Sequence, residues 1–209
     1  MPDGASLITF IAVSALLGIT PGPDIIYVIT RGVFQGARAG IAAAAGLATG
    51  IIGHTLLCVV GLSAILAAST LAFNVIKIMG AAYLVYLGIR MWRDRDLLNF
   101  SDNPKKSTLI QIYRQTIVMN LLNPKVAIFF LAFLPQFVDV SAGAVEFQFA
   151  VLGAIFMAVA FVVMSLAGIA GGVIRRTMTG NARVAHWLRL ASGGVLVGLG
   201  VRLALQSQE

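Results

Sequence analysis

The chain has few charged residues for its length. Of its 209 residues, 11% are charged and 59% are hydrophobic, and the mean hydropathy is +0.93. A soluble domain carries about 25% charged residues because its surface faces water. A chain with less than half of that share cannot cover a soluble globule with polar groups. The composition therefore indicates an integral membrane protein.

Cysteine is nearly absent, since Cys58 is the only one and lies inside an apolar run. A single cysteine excludes an intramolecular disulfide and a cysteine-cluster metal site. The sequence also lacks a metal-type cluster of His, Asp or Glu, a Gly-x-Ser-x-Gly elbow and a phosphate-binding loop with Gly-Lys-Ser/Thr. We therefore expect no enzyme activity, no cofactor and no metal site.

Long apolar runs fill most of the chain. A helix needs about 20 apolar residues to cross a bilayer, whereas barrel strands alternate apolar and polar residues over about 10. The runs are continuous, so they predict an all-α integral membrane protein with one transmembrane domain over residues 1–209. The first nine residues carry Asp3 and no Lys or Arg, so we expect the first run to be retained and not cleaved as a signal peptide. The runs predict six transmembrane helices, at 7–29, 39–66, 71–91, 116–137, 147–174 and 188–205.

The basic residues are distributed unevenly between the runs. Twelve of the fifteen Lys and Arg residues lie in the first, third and fifth loops, and none lies in the second or fourth loop. Loops rich in Lys and Arg face the cytoplasm, so both termini are predicted outside it. The net charge of +7 is thus a topology signal and does not indicate nucleic-acid binding. The twelve residues are Arg31, Arg38, Arg90, Arg93, Arg95, Lys105, Lys106, Arg114, Arg175, Arg176, Arg183 and Arg189.

The third and sixth runs align with an offset of 112 residues. This offset pairs Lys77 with Arg189 and Arg90 with Arg202. We infer two inverted three-helix repeats, because halves with three spans each insert in opposite orientations. The halves are expected at 1–92 and 115–209, with a cytoplasmic linker at 93–114. Four further identities support the alignment: Leu84, Val85, Leu87 and Gly88 match Leu196, Val197, Leu199 and Gly200.

Prolines interrupt the first and fourth runs, which the repeat makes equivalent. Proline lacks an N–H and clashes with the preceding turn, so both helices should break or kink. Irregular backbone at membrane depth must be buried in protein or line a watered cavity. We therefore expect Pro21 to lie opposite Pro124 beside a binding site. The residues of the two interruptions are Thr20, Pro21, Gly22, Pro23 and Asp24 in the first run, and Asn120, Asn123, Pro124 and Lys125 in the fourth.

Asp24 is the only acidic residue inside an apolar run, and Lys125 lies near the middle of its own run. A carboxylate within the membrane costs about 2.5 kcal/mol or more on insertion scales, so it indicates a functional site by default. Two structural alternatives are a helix cap for Asp24 and a permanent salt bridge between Asp24 and Lys125 that locks the halves together. The functional hypothesis is a charge pair that a substrate or a proton opens.

Small residues form stripes inside several runs. Gly46, Gly50 and His54 share one helical stripe, which favours close packing and a cross-helix hydrogen bond over a proton relay through His54. Gly-x-x-x-Gly pairs also predict tight packing elsewhere, at Gly168 with Gly172 and at Gly194 with Gly198.

The third run carries two weaker site candidates and one basic residue. Tyr83 and Tyr86 are compatible with substrate binding or with plain packing. Lys77 is near the outer end of the run, so its ammonium is expected to snorkel to the outer surface.

Taken together, these motifs resemble the LysE/RhtB family of bacterial amino-acid exporters over essentially the whole chain. The resemblance implies a secondary transporter that exports amino acids or their derivatives across the bacterial inner membrane by proton antiport. It does not identify the amino acid. The motifs that carry it are the Thr20 to Asp24 interruption, the glycine-rich second run, Gly80-Ala81-Ala82-Tyr83-Leu84, and Asn123-Pro124-Lys125 followed by Leu134-Pro135-Gln136-Phe137.

The resemblance and the residue chemistry together suggest roles. Asp24 would hold an ammonium group or exchange a proton, and Lys125 would hold a carboxylate or neutralise Asp24. Asn120 and Asn123 would add uncharged hydrogen bonds. The expected partners are an amino acid, protons and membrane lipid, and the sequence does not decide between a monomer and an oligomer. The alternative functions are export of a cation or another small polar metabolite, and a non-transport membrane assembly subunit.

Overall fold

A computed structural model describes residues 4–64, 70–93, 106–178 and 182–205, and these residues form helices and turns without strands. The all-α prediction is confirmed. α3 continues into a π-helical turn at Cys58–Leu62, and α6 continues through a π-helical turn at Phe129–Phe133 and a 3-10 turn at Leu134–Phe137. The helices are α1 (Gly4–Ile19), α2 (Pro23–Gln35), α3 (Ala37–Leu57), α4 (Thr70–Arg93), α5 (Leu109–Leu121), α6 (Pro124–Ile128), α7 (Val145–Met178) and α8 (Ala182–Leu205).

Two unbroken stretches of the described residues are long and apolar enough to cross a membrane, Ala37–Leu62 and Val145–Gly171. Two further candidates are bent pairs of helices, Gly4–Ile19 with Pro23–Gln35 and Leu109–Leu121 with Pro124–Phe137. The described part of the chain therefore has two to four candidate spans, and the prediction of six spans is not confirmed. The third and sixth spans were expected where α4 and α8 lie.

The first helix breaks where its proline motif predicts. α1 ends at Ile19, and Oγ1 of Thr20 donates back to the carbonyl of Leu16 at 2.7 Å. Pro21 has no N–H to continue the helix. Pro23 begins α2 at the first helical position, where a missing N–H leaves no bond unmade. α1 and α2 are bent by 63° relative to each other.

The fourth run breaks in the same manner. Asn123 caps α6 by accepting the N–H of Lys125 at 3.0 Å, and Pro124 occupies the first helical position. The bend between α5 and the segment that begins at Pro124 is 48°. Pro124 thus matches Pro23 in local geometry, because each of these prolines occupies the first position of a helix.

α3 and α7 hold the two broken pairs. α3 packs against α2, α5 and α7, while α7 also packs against α1 and α2. α3 and α7 approach closely at Gly168, where an added Cβ would lie 2.8 Å from Cα of Gly40. The surroundings of Gly172 fall outside the described residues. Buried phenylalanines fill the core beside the second break, among them Phe10, Phe129, Phe130, Phe133 and Phe156.

The Gly194 and Gly198 pair does not pack as predicted. A Cβ added to either residue would meet no atom within 4 Å. The prediction was wrong because the face of α8 that meets α4 carries Gly193 and Gly200 instead.

Lys77 does not snorkel to the surface as expected, since it is only 6% exposed. Gly80 lies nearly one turn further along the same face of α4, and a Cβ added there would collide with the side chain of Ala132. This face of α4 therefore packs against the π-helical turn Phe129–Phe133. The snorkelling prediction was wrong because tertiary packing covers this side of the helix.

Candidate functional site

The two helix breaks meet at a small internal cavity. Asp24, Asn120 and Lys125 line it together with apolar residues of α1, α3, α6 and α7. Asp24 is 2% exposed and Lys125 is 7% exposed. The volume open to the centres of water-sized molecules is about 20 Å³, which is room for about one water. An amino acid could enter only after the helices around the cavity move apart.

Asp24 and Asn120 each present an unsatisfied oxygen. Nδ2 of Asn123 donates to Oδ2 of Asp24 at 2.6 Å. Oδ1 of Asp24 and Oδ1 of Asn120 are buried, and neither makes a hydrogen bond of regular geometry among the described residues, although the side chain of Asn120 lies within interaction range of the carboxylate of Asp24. Leaving a buried acceptor unpaired costs about 1–3 kcal/mol. A donor that reached either oxygen, such as a ligand ammonium, a proton or a water, would be stabilised there.

Lys125 binds the end of α1. Its Nζ donates to the carbonyls of Leu17 and Thr20, both at 3.2 Å. In an unbroken helix the carbonyl of Leu17 would accept from residue 21, but Pro21 has no N–H. A cation is also favoured at a helix C-terminus by the helix dipole. The ammonium thus stabilises the backbone that the proline leaves unpaired.

The expected direct contact between Lys125 and Asp24 is not formed among the described residues. The hydrogen bonds of Nζ go to main-chain carbonyls, and the carboxylate of Asp24 is bound by Asn123 instead. An ammonium has three N–H donors, so one donor of Lys125 is left for a ligand. The charges are therefore close to one cavity without being locked in a salt bridge.

Gly22 faces the ammonium of Lys125. A Cβ added at Gly22 would lie 3.4 Å from Nζ, which is an ordinary van der Waals contact. The φ angle of Gly22 is −172°, which is extended backbone that any residue adopts. Neither space nor backbone conformation therefore requires glycine at this position.

The small-residue stripe of α3 holds α5 at the cavity. Nε2 of His54 lies 3.1 Å from the main-chain carbonyl of Asn120. A Cβ added at Gly50 would lie 2.7 Å from Cβ of Asn120, and one added at Gly46 would collide with the main chain of Tyr113. The structure thus contains the close packing and the cross-helix hydrogen bond that the sequence favours, and both fix the position of Asn120.

Tyr83 and Tyr86 lie elsewhere. Their ring centroids are 5.9 Å apart on α4, and Tyr86 is 54% exposed. Neither lines the cavity that contains Asp24. The structure does not bring these two weaker candidates to the site.

The apolar wall of the cavity was not predicted from the sequence. It is formed by Leu47 and Ile51 of α3 and by Phe156, Ala160 and Met164 of α7. Their spacing of four residues is typical of any apolar helix face, so no signal in the sequence distinguishes this face from those that meet lipid.

A buried, charged cavity between two broken apolar helices is typical of secondary transporters, whose binding sites form at discontinuous helices near the middle of the membrane. The family model described as LysE type translocator matches residues 15–207. The chain belongs to this family, whose members are membrane transporters and not enzymes.

Named relatives extend over most of the chain. An uncharacterised membrane protein of Vibrio cholerae is 32% identical, covering 94% of this chain and 95% of its own. A homoserine/homoserine lactone efflux protein of Salmonella typhimurium is 34% identical over 75% of each chain. A leucine efflux protein of an Enterobacter species is 27% identical, covering 94% of this chain and 93% of its own. No solved structure matches the chain.

Proposed function

We propose that this protein exports amino acids or their derivatives across the bacterial inner membrane in exchange for protons. Membership of the translocator family supports a small-molecule substrate. Two relatives named for efflux of homoserine, homoserine lactone and leucine support an amino acid or a derivative. The observation that carries the proposal is the pair of unsatisfied oxygens, on Asp24 and Asn120, in the same cavity as the ammonium of Lys125.

This arrangement is complementary to a zwitterion. The α-ammonium of an amino acid would donate to Oδ1 of Asp24 and Oδ1 of Asn120, and so satisfy both acceptors. The α-carboxylate would accept the remaining N–H of Lys125. Each charge of the substrate then meets the opposite charge, which offsets the cost of removing both from water.

Proton exchange follows from the same carboxylate. Asp24 binds either an ammonium group or a proton at Oδ1, because one oxygen cannot serve both at once. When the substrate leaves toward the periplasm, a proton takes its place on Asp24, and the neutral carboxyl returns to face the cytoplasm. There the proton is released before the next substrate binds. One proton therefore enters for each amino acid that leaves.

The inverted repeat supplies the alternating access that this cycle needs. In support of it, α2 and α6 both begin with proline at the first helical position, followed by Asp24 and Lys125 respectively. The helix packing is also equivalent in the two halves, since α7 packs against the broken pair α1 and α2, and α3 packs against the broken pair α5 and α6. We propose halves at 1–92 and 115–209, a cytoplasmic linker at 93–114 and both termini outside the cytoplasm.

The test is transport by the purified full-length protein in proteoliposomes, with Asp24→Asn and Lys125→Met as variants. Asp24→Asn should abolish efflux driven by a pH gradient while sparing exchange between two loaded compartments. The amide oxygen still accepts a hydrogen bond, but the amide group cannot bind and release a proton. Lys125→Met should impair both activities. Glu146→Gln and Lys106→Met, which neutralise exposed residues, are the matched controls.

Wild-type dependence on the pH gradient in Asp24→Asn would assign the proton to another group and contradict the proposed coupling. Failure of the wild-type protein to move any amino acid would contradict amino-acid export itself. A cation or another polar metabolite would then be tested in the same vesicles.

A further inference from the structure

The wall of the cavity that α3 and α7 provide is entirely apolar. Leu47 and Ile51 lie one turn apart on α3, and Phe156, Ala160 and Met164 lie at successive turns on one face of α7. A substrate whose backbone is bound by Asp24 and Lys125 would direct its side chain toward this wall. The side chain of the substrate therefore has to be compatible with an apolar surface.

The charged groups of the cavity are already assigned. Among the described residues that line it, only Asp24 and Lys125 are charged. If they bind the α-ammonium and the α-carboxylate, a third charge on the substrate would have no partner in the described lining. Burying an unpaired charge is strongly unfavourable. Lysine, arginine, aspartate and glutamate are therefore poor substrates.

Ala160 is the smallest side chain on the α7 face of the wall. Phe156 lies on one side of it and is packed against two other rings, since its ring centroid is 5.0 Å from that of Phe129 and 5.2 Å from that of Phe130. Met164 lies on the other side and has a flexible side chain that adapts to its neighbours. The space above Ala160 is thus bounded by a rigid ring and a compliant thioether.

We infer that the site selects zwitterionic amino acids with uncharged aliphatic side chains, and that Ala160 sets the largest side chain accepted. This inference rests on the proposed function, because it assumes that Asp24 and Lys125 bind the backbone of an amino acid. It adds the substrate class and a residue that determines specificity.

The experiment measures efflux of alanine, leucine, phenylalanine and lysine from proteoliposomes containing the full-length protein. Leucine should be exported at least about tenfold faster than lysine, since a buried unpaired charge costs more than a methylene group. Ala160→Leu should lower the ratio of leucine to alanine transport about tenfold or more, because each excess methylene in an apolar pocket is worth about 10- to 200-fold.

Ala158→Leu is the matched control, because Ala158 is on the same helix and exposed. It should leave the ratio of leucine to alanine transport unchanged. Ala160→Gly enlarges the space and should raise the transport of phenylalanine relative to leucine. This second variant decides the question if Ala160→Leu proves inactive with every substrate.

Two results would overturn the inference while amino-acid export stands. One is export of lysine by the wild-type protein as fast as leucine. The other is a ratio of leucine to alanine, or of phenylalanine to leucine, that changes no more in the Ala160 variants than in Ala158→Leu. If the wild-type protein exports none of the four amino acids, the proposed function fails together with the inference.

Discussion

Gly88 of α4 and Gly200 of α8 make equivalent contacts on each other's helices. A Cβ added at Gly88 would lie 2.6 Å from the carbonyl oxygen of Gly193, and one added at Gly200 would lie 2.7 Å from that of Ala81. Residues 81 and 88 become 193 and 200 when shifted by 112 positions, which is the offset that aligns the third and sixth runs of the sequence. Reciprocal contacts of this kind are expected of two helices related by a twofold axis, so they support the inverted repeat.

The crossing of α4 and α8 should therefore tolerate no side chain at either glycine. We expect Gly88→Ala and Gly200→Ala each to destabilise the protein by about 1–3 kcal/mol, because the added methyl group would force the two backbones apart. Thermal unfolding in detergent measures this. Gly198→Ala is the control on α8, since a Cβ there meets no atom within 4 Å. An equal loss of stability in Gly198→Ala would contradict the importance of the crossing.

Gly50 should control the position of Asn120. In Gly50→Ala the new methyl group would lie 2.7 Å from Cβ and 2.9 Å from Oδ1 of Asn120, so the side chain of Asn120 would have to shift. We expect Gly50→Ala to lower substrate affinity in a transport assay, with a several-fold rise in the apparent KM.

Gly53→Ala is the matched comparison on α3. The added methyl group would meet only the side chain of Leu121, which can rotate away. It should leave the apparent KM close to the wild-type value, and a shift as large as that of Gly50→Ala would remove Asn120 from the proposed site.

Asn123 should have two separable roles, because its Oδ1 caps α6 while its Nδ2 binds Asp24. Asn123→Ser keeps a good capping residue but is too short to replace the bond to Asp24. Asn123→Ala loses both interactions, and removing the cap costs about 1 kcal/mol. We expect both variants to transport poorly and to lose stability through the unpaired carboxylate of Asp24, and Asn123→Ala to unfold at the lower temperature because it also loses the cap. Normal transport by Asn123→Ser would show that the bond to Asp24 is dispensable.

Membrane orientation can be measured by labelling single cysteines after Cys58 is replaced by alanine. A cysteine at Ser101 should react with an impermeant reagent only from the cytoplasmic side, because it belongs to the loop richest in Lys and Arg. A cysteine at Ala142, which is exposed in the turn before α7, should react from the periplasm. Reaction of both cysteines from the same side would contradict the proposed topology.

The sequence predicted the two helix breaks at the site better than the contacts around them. Proline interruptions imply unpaired backbone wherever they fall, so the breaks beside Asp24 and Lys125 could be predicted from local rules. The acceptors of Lys125 could not, because the carbonyls of Leu17 and Thr20 come from a segment more than 100 residues away. Charge alone predicted Asp24 as the partner of Lys125. In the structure the ammonium instead binds the carbonyls that α1 leaves unpaired at its end.

Which face of each helix meets another helix was decided only by tertiary structure. Composition by itself indicated a membrane protein, because the chain has too few charged residues to cover a soluble globule, the long apolar runs indicated helices, and local sequence determined where two helices break. Lys77 is buried, and Gly200 packs while Gly198 is exposed, because the crossing of α4 with its neighbours selects one side of each helix. In lipid both sides of a helix are apolar, so hydropathy carries no information about this choice, and only the fit between backbones determines it.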